Sequence, residues 1–428
     1  MIPSVRFEKE DIPMEVMKRI SLLLFIAVIA RGEAGINIVH SGQDELVLRY
    51  TAPEAELRRM KVEGGEYVEI NMAGAGQISE VGSPRLPVFR AVIEVPEGAL
   101  VRTELSPDFI REKRLQEGLK VLPVARPVPK IEGARLEFIV NREVYSRDFY
   151  FPGVSVRTEK LGLVRGHELY LLEVFPVQYN PARDVLRFVE GADIRVYFSG
   201  GKSPAADKYR SLPFERFLVK VTLNHCDLQV GRSVPEAPVG YLIITPDEFY
   251  DSILPLAQWR REMGYHVTVA KLSDIGNNPT ANDIRDFIRD AYSNWTVPPT
   301  FVLLVGDVDR MPYFVGHGAD SPATDLYYAD MDGTDYLPDL WVGRLSVASS
   351  SQLASVVTKI LSYEMNQWSQ GEEWAGKAYF MASDDPNFHA VAEGTQLYCM
   401  SKVREYGMTA DSLFDYYNTG TPVSEALN

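Results

Sequence analysis

The chain has 428 residues, a formal charge of −15, and 46% hydrophobic and 24% charged residues. Such composition is globular, with length enough for two or three cores, and the acidic balance excludes a general nucleic-acid binder, which needs a basic face to displace counterions. Two cysteines, Cys226 and Cys399, exclude a disulfide scaffold.

Met17, Lys18 and Arg19 precede the apolar run "ISLLLFIAVIA" at residues 20–30. A run of that length is too short to span a bilayer but suits the core of a secretory signal behind a basic start. Residues 1–35 are therefore read as a signal-peptide region, with a buried N-terminal helix as the alternative. No other segment is long and apolar enough for a membrane span, so a secreted, extracellular or cell-surface protein is expected.

Residues 36–230 read as β-rich. Alternating runs such as "ELVLRYTA", "EYVEINMAG", "RAVIEVP" and "DIRVYFSG" are separated by Gly, Pro and Asn turns, the pattern of an all-β sandwich. Residues 231–240 form a Pro- and Gly-bearing linker.

From residue 241 the grammar changes. "YLIIT", "HVTVAKL", "FVLLVG", "DLWVGRL", "AYFMAS" and "DSLF" read as strands. Helical spacing of apolar residues falls between them, for example Phe249, Ile253, Leu256 and Trp259, or Ile284, Phe287, Ile288 and Ala291. Strands apolar throughout are covered on both faces. The expected fold is a doubly wound, mostly parallel α/β domain over 241–428 behind the β domain. The chain closes on "TPVSEALN", where Thr421 and Pro422 would open a helix, so the α/β domain is expected to be incomplete.

Candidate sites follow from this layout. His317, in "FVGHGAD", follows "RMPYF" rather than a strand end and reads as a loop histidine. Cys399 falls in mid-helix, where a thiol is usually a small buried hydrophobe. Cys226 lies outside the α/β domain, and adjacency to His225 does not orient a dyad. Asp307 sits at the carboxyl end of a central strand and is a substrate-cleft candidate, as are Asp384, Asp385 and His389 after "AYFMAS". "TDLYYADMDGTDYLPDL" gathers Asp325, Asp330, Asp332, Asp335 and Asp339. Asp330, Asp332 and Asp335 are candidate ligands for a structural calcium, the alternative being solvated or backbone-capping aspartates. Arg344 is the simplest partner for one of these carboxylates. No cofactor is required by any of these features.

The blocks "YLIITPDEFYDSILPLAQWRREMGYHVTV", "TANDIRDFIRDAY", "FVLLVGDVDRMP", "TDLYYADMDGTDYLPDLWVGRLSV" and "AYFMASDD" resemble, in order and spacing, the gingipain-type cysteine peptidases, which share the caspase-like fold. Upstream, "GSPRLPVFRAVIEVPEGALV" looks like that family's propeptide. The resemblance implies a latent, secreted cysteine endopeptidase acting on protein or peptide substrates, with the propeptide as an intramolecular partner. It also implies a catalytic His and Cys beyond residue 428, so none is assigned within this chain. A non-catalytic exported binding protein with a calcium-holding aspartate loop is the alternative.

Overall fold

The structure, a computed structural model, describes residues 35–63, 65–127, 137–202, 209–225, 238–317, 321–333, 335–365, 373–382 and 389–414. All of the proposed signal region but Gly35, together with Cys226, Asp384, Asp385 and the final "TPVSEALN", lies outside the described residues.

Twelve strands build the first part: β1 (Gly35–Ser41), β2 (Glu45–Thr51), β3 (Ala55–Val62), β4 (Gly65–Met72), β5 (Gly76–Gln77), β6 (Pro87–Val95), β7 (Leu100–Arg114), β8 (Lys120–Val121), β9 (Val156–Val164), β10 (His167–Val174), β11 (Val177–Asn180) and β12 (Val185–Ser199). Alternation drives the arrangement. In β2, Leu46, Leu48 and Tyr50 point inward while their neighbours stay partly exposed. The long strand β12 organises one sheet, pairing β7 along one edge and dividing the other between β11 and β2. Where it changes partner, a bulge falls at Gly191, and a Cβ there would press on the Asp108 carboxylate. A second sheet runs β5-β6-β10-β9 and a third runs β3-β4-β8. One core joins all three, with Leu48, Ile70, Phe89, Ile93, Leu172, Phe188 and Ile194 among its members. The β-rich domain expected from the alternation is thus present, its three sheets sharing one interior.

Two elements depart from the β-rich reading, a short helix at Arg142–Ser146 and a longer one after β12. Residues Leu212–Val221 form helix α1, with Pro213 in its first turn, Glu215 near its N-terminus and Lys220 near its end. Phe214, Phe217, Leu218 and Val221 share one face and pack with Val92, Leu161, Val164, Leu169 and Leu171 of the β domain.

The second part is a four-stranded parallel sheet in the order β14-β13-β15-β18, from β13 (Gly240–Thr245), β14 (His266–Lys271), β15 (Pro299–Val305) and β18 (Trp341–Leu345). Between β15 and β18 lies the short hairpin β16 (Phe314–Val315) and β17 (Ala323–Thr324). Helices α2 (Tyr250–Glu262), α3 (Ala281–Asn294) and α4 (Ser350–Glu364) cover the sheet on both faces. Leu242, Ile244, Val302 and Leu304 meet Ile284, Ile288, Ala291 and Tyr292 of α3. Ile243, Leu303 and Val305 meet Ile253 and Leu256 of α2 and Leu353 and Val357 of α4. Side-chain alternation along the central strands β13 and β15 feeds the two layers, which is why these two are buried along nearly their whole length. Thr280 starts α3 with a capping box to Asp283, and Ser349 caps α4 through Gln352 N–H. A parallel pair, β19 (Lys377–Ala382) and β20 (Thr409–Phe414), flanks α5 (His389–Glu405).

Candidate functional site

The strand order reverses direction between β13 and β15, so the crevice outside Thr245 and Val305 is where an open parallel sheet builds a site. Gly306 turns the chain there with φ +120°. Asp307 follows, and its carboxylate accepts the Val308 N–H at 2.8 Å while its carbonyl accepts the N–H groups of Arg310 and Met311. Asp307 thus closes the turn and borders the crevice. Arg344 on β18 spans the same region. It pairs both oxygens of Asp325 at 2.8 and 2.7 Å and donates to the carbonyls of Gly306, Met311 and Pro312 at 3.0 Å each. The sequence-based partner for Arg344 is therefore one of the acidic run's own carboxylates.

His317 is exposed and follows the two-residue strand β16, away from the end of β15. Since an exposed loop side chain contributes little to folding, His317→Ala is expected to leave the Tm unchanged within about 1 °C by calorimetry. Cys399 is half-buried within α5. His389 is the first residue of that helix.

Asp335 and Asp339 face the β domain, whereas Asp330 and Asp332 face α3. Asp339 is fully buried and accepts N–H groups from Met331 (2.8 Å), Asp332 (2.7 Å) and Arg165 (2.7 Å). Asp332 accepts the Tyr292 hydroxyl at 2.7 Å. Asp335 accepts Leu163 N–H at 2.9 Å and Leu337 N–H at 2.7 Å. Asp330 pairs with Arg285 at 3.3 Å. Burial raises the Asp330 and Asp335 carboxyls above the ordinary range, against the pull of Arg285 on the first and of the Leu163 and Leu337 N–H groups on the second. The Asp335 and Asp339 oxygens close the loop and stitch it to the hairpin of β9 and β10, while those of Asp330 and Asp332 tie it to α3. Gly162 makes that approach feasible, because a Cβ on it would collide with the Asp335 carboxylate.

At the tip of the same hairpin, Arg165 and Gly166 both adopt positive φ (49° and 77°), the conformation of a tight two-residue turn. The turn thrusts Arg165 into the α/β domain, where it is 1% exposed. Its guanidinium donates to the carbonyls of Tyr209 (2.7 Å), Pro299 (3.0 Å) and Asp339 (2.9 Å). It lies 5.0 Å from the Phe214 ring and 5.3 Å from that of Tyr292. Phe214 in turn stacks on Trp341 at 4.9 Å. Helix α1 is thereby wedged between the two domains.

A third cluster lies within the β domain beside α1. Glu94 on β6, His167 on β10 and His225 just past α1 are all buried. Glu94 Oε1 stands 2.7 Å from His167 Nδ1 and Oε2 stands 2.6 Å from His225 Nδ1. His225 Nε2 faces Glu215 Oε2 at 3.0 Å, and Arg210 donates to Glu215 at 3.1 Å. Burial opposes ionisation of Glu94, but hydrogen bonds from His167 and His225 outweigh it and hold the carboxyl at about 2. Burial likewise opposes charge on His225, yet Glu215 and Glu94 raise it to about 9. Both imidazole Nδ1–H groups thus donate to an ionised Glu94.

Comparison with known proteins decides the family. The profile described as Peptidase family C25 matches residues 234–425, and Propeptide_C25 matches residues 30–213. The chain belongs to the gingipain-type C25 family. This C25 chain is 27% identical to Lys-gingipain of Porphyromonas gingivalis over 326 residues, covering 73% of this chain and 18% of that protein. It is 25% identical to Gingipain R1 of Porphyromonas gingivalis over 364 residues, 80% of this chain and 36% of that one. It therefore spans between a fifth and about a third of these relatives' length. Among solved structures, "Complex of Porphyromonas gingivalis RgpB pro- and mature domains" matches at 18% identity and TM-score 0.40, covering 46% of this chain and 99% of that chain. "Structural insight into zymogenic latency of gingipain K from Porphyromonas gingivalis" matches at 25% identity and TM-score 0.34, covering 40% and 96%.

In this C25 chain the propeptide match stops inside α1 and the peptidase match begins after His225. Sequence reading considered His225 only as the neighbour of Cys226 and passed over Glu94 and His167. Separations of 73 and 131 residues between these partners leave no local spacing to detect. Arg165 was missed for the same reason, although a bulky residue before glycine in an otherwise apolar hairpin is a usable signal.

Proposed function

We propose that this chain is the propeptide and leading catalytic portion of an exported, latent cysteine endopeptidase. The observation that carries the reading is the chain order, a C25 propeptide region followed by a C25 peptidase region. Supporting it, the two regions meet through buried Arg165, Asp339 and α1. The domain division runs 1–35 for the signal, 36–230 for the propeptide, 231–240 for the linker and 241–428 for the caspase-like peptidase part. The apolar run at 20–30 behind Lys18 and Arg19 supports export to the cell surface or medium. No helix among the described residues is long and apolar enough to cross a membrane.

The chemistry is acyl transfer to a cysteine thiolate. The thiolate attacks a peptide carbonyl, an imidazole delivers a proton to the leaving amine, and backbone N–H groups hold the oxyanion. Water then releases the acyl group. The nucleophile and its base are expected beyond residue 428, with Asp307 and the crevice at Thr245 as one wall of the cleft. Purified 428-residue chain should not hydrolyse casein. The protein continued past residue 428, once severed within the 231–240 linker, should, and alkylation of its cysteine should abolish turnover. Hydrolysis by the 428-residue chain, or turnover resistant to alkylation in the longer one, would refute the reading.

A further inference from the structure

We propose that Glu94, His167 and His225 form a zinc-binding site inside the propeptide domain, independent of the peptidase chemistry. Among the described residues they are the one group of histidine, cysteine or acidic side chains whose ligand atoms all lie within 4.8 Å of one another. Three separate elements supply them: β6, β10 and the segment after α1. Both histidines turn Nδ1 toward the same carboxylate, one to each oxygen. A carboxylate bound through both oxygens plus two imidazoles offers four donor atoms, the number a zinc ion takes. The rings meet edge to face, 5.3 Å apart at 70°, so the two Nδ1–H groups converge on the carboxylate rather than stack past it.

The surrounding shell has the form that zinc sites need. A metal-bound imidazole usually donates its other N–H to a carboxylate, which fixes ring orientation and raises its basicity. His225 does this through Nε2 to Glu215, and Arg210 steadies Glu215 in turn. Asn224 holds the backbone of Glu94 on both sides, accepting its N–H at 2.8 Å and donating to its carbonyl at 2.9 Å. The ligands are therefore fixed by packing and by partners that are not themselves ligands.

Donor chemistry selects the metal. Two imidazoles and one carboxylate suit zinc, whereas calcium prefers six or more oxygens. Zinc–nitrogen and zinc–oxygen bonds of roughly 2.0–2.2 Å set tetrahedral neighbours about 3.3 Å apart. The present contacts of 2.7 and 2.6 Å therefore open by roughly 0.6–0.7 Å as the ion displaces the two Nδ1 protons to solvent. Because His225 lies just past Asn224, in the segment after α1, the ion ties the start of the interdomain segment to the β domain.

The test counts metal on the full 428-residue chain. Protein equilibrated with zinc chloride and dialysed against metal-free buffer should retain about one zinc per chain by mass spectrometry. The His167→Gln/His225→Gln variant should retain less than about a tenth of that, and His317→Ala should match the wild type. If the double variant does not fold by circular dichroism, X-ray absorption at the zinc edge of the wild-type protein decides. Two imidazoles and a bidentate carboxylate around the ion support the site. Retention of no zinc by the wild type, equal retention by a folded double variant, or a coordination shell lacking two imidazoles overturns it.

Discussion

Arg165→Ala is expected to cost about 3–5 kcal/mol, the range for removing one partner from a buried charged network. The size follows from what is left behind. Truncation strands the carbonyls of Tyr209, Pro299 and Asp339 away from water, and each buried orphan carries a desolvation cost of roughly 1–3 kcal/mol. It also empties the space between the Phe214 and Tyr292 rings. Arg165→Lys should recover little, because the three carbonyls are arranged around the separate Nε and Nη1 atoms of a planar fork, which a single ammonium nitrogen does not reproduce. Urea unfolding followed by far-ultraviolet circular dichroism gives the number. A shift below about 1 kcal/mol would mean that this interface does not contribute to stability as described.

Phe214→Ala should cost a similar amount, about 3–5 kcal/mol for deleting a fully buried ring. Phe214 is 2% exposed, stacks on Trp341 at 4.9 Å and meets Phe217 at 6.3 Å. Its removal opens a cavity bounded by both domains, which neither can collapse to fill alone. Phe214 and Arg165 touch, so the double variant should be more stable than the sum of the single losses predicts, by roughly 0.5–3 kcal/mol. Strict additivity would show that the wedge and the arginine act separately. Trp341 fluorescence gives a local readout that a global destabilisation would not reproduce under native conditions.

Much of the α/β domain was legible in the sequence because its strands are covered on both sides. "YLIIT" has no charged position, since Leu242 and Ile244 feed one layer and Ile243 the other. Thr280 with Asp283 and Gly264 with φ +93° punctuate the helices by local chemistry alone. The β domain was legible through alternation, as in β2. Helix α1 was not read as one, although Phe214, Phe217, Leu218 and Val221 hold helical spacing. Ten residues give too few turns to stand out beside a linker. The aspartates were visible as a cluster, but a carboxylate that accepts N–H groups from a distant hairpin looks the same in sequence as one awaiting a cation. Only the fold brings Leu163 and Arg165 to them.

Among the described residues, the β domain grips the parallel sheet at Pro299, Asp339 and Trp341, which open β15 and β18 or lie just before β18. The crevice at Thr245 and Asp307 is at the opposite rim. β15 has seven residues, so roughly 20 Å of rigid strand separates the two ends. Mutations at one end therefore leave the other nearly untouched. Natural selection can retune how firmly the β domain is held without disturbing the rim where a substrate would lie, and can reshape that rim without loosening the hold.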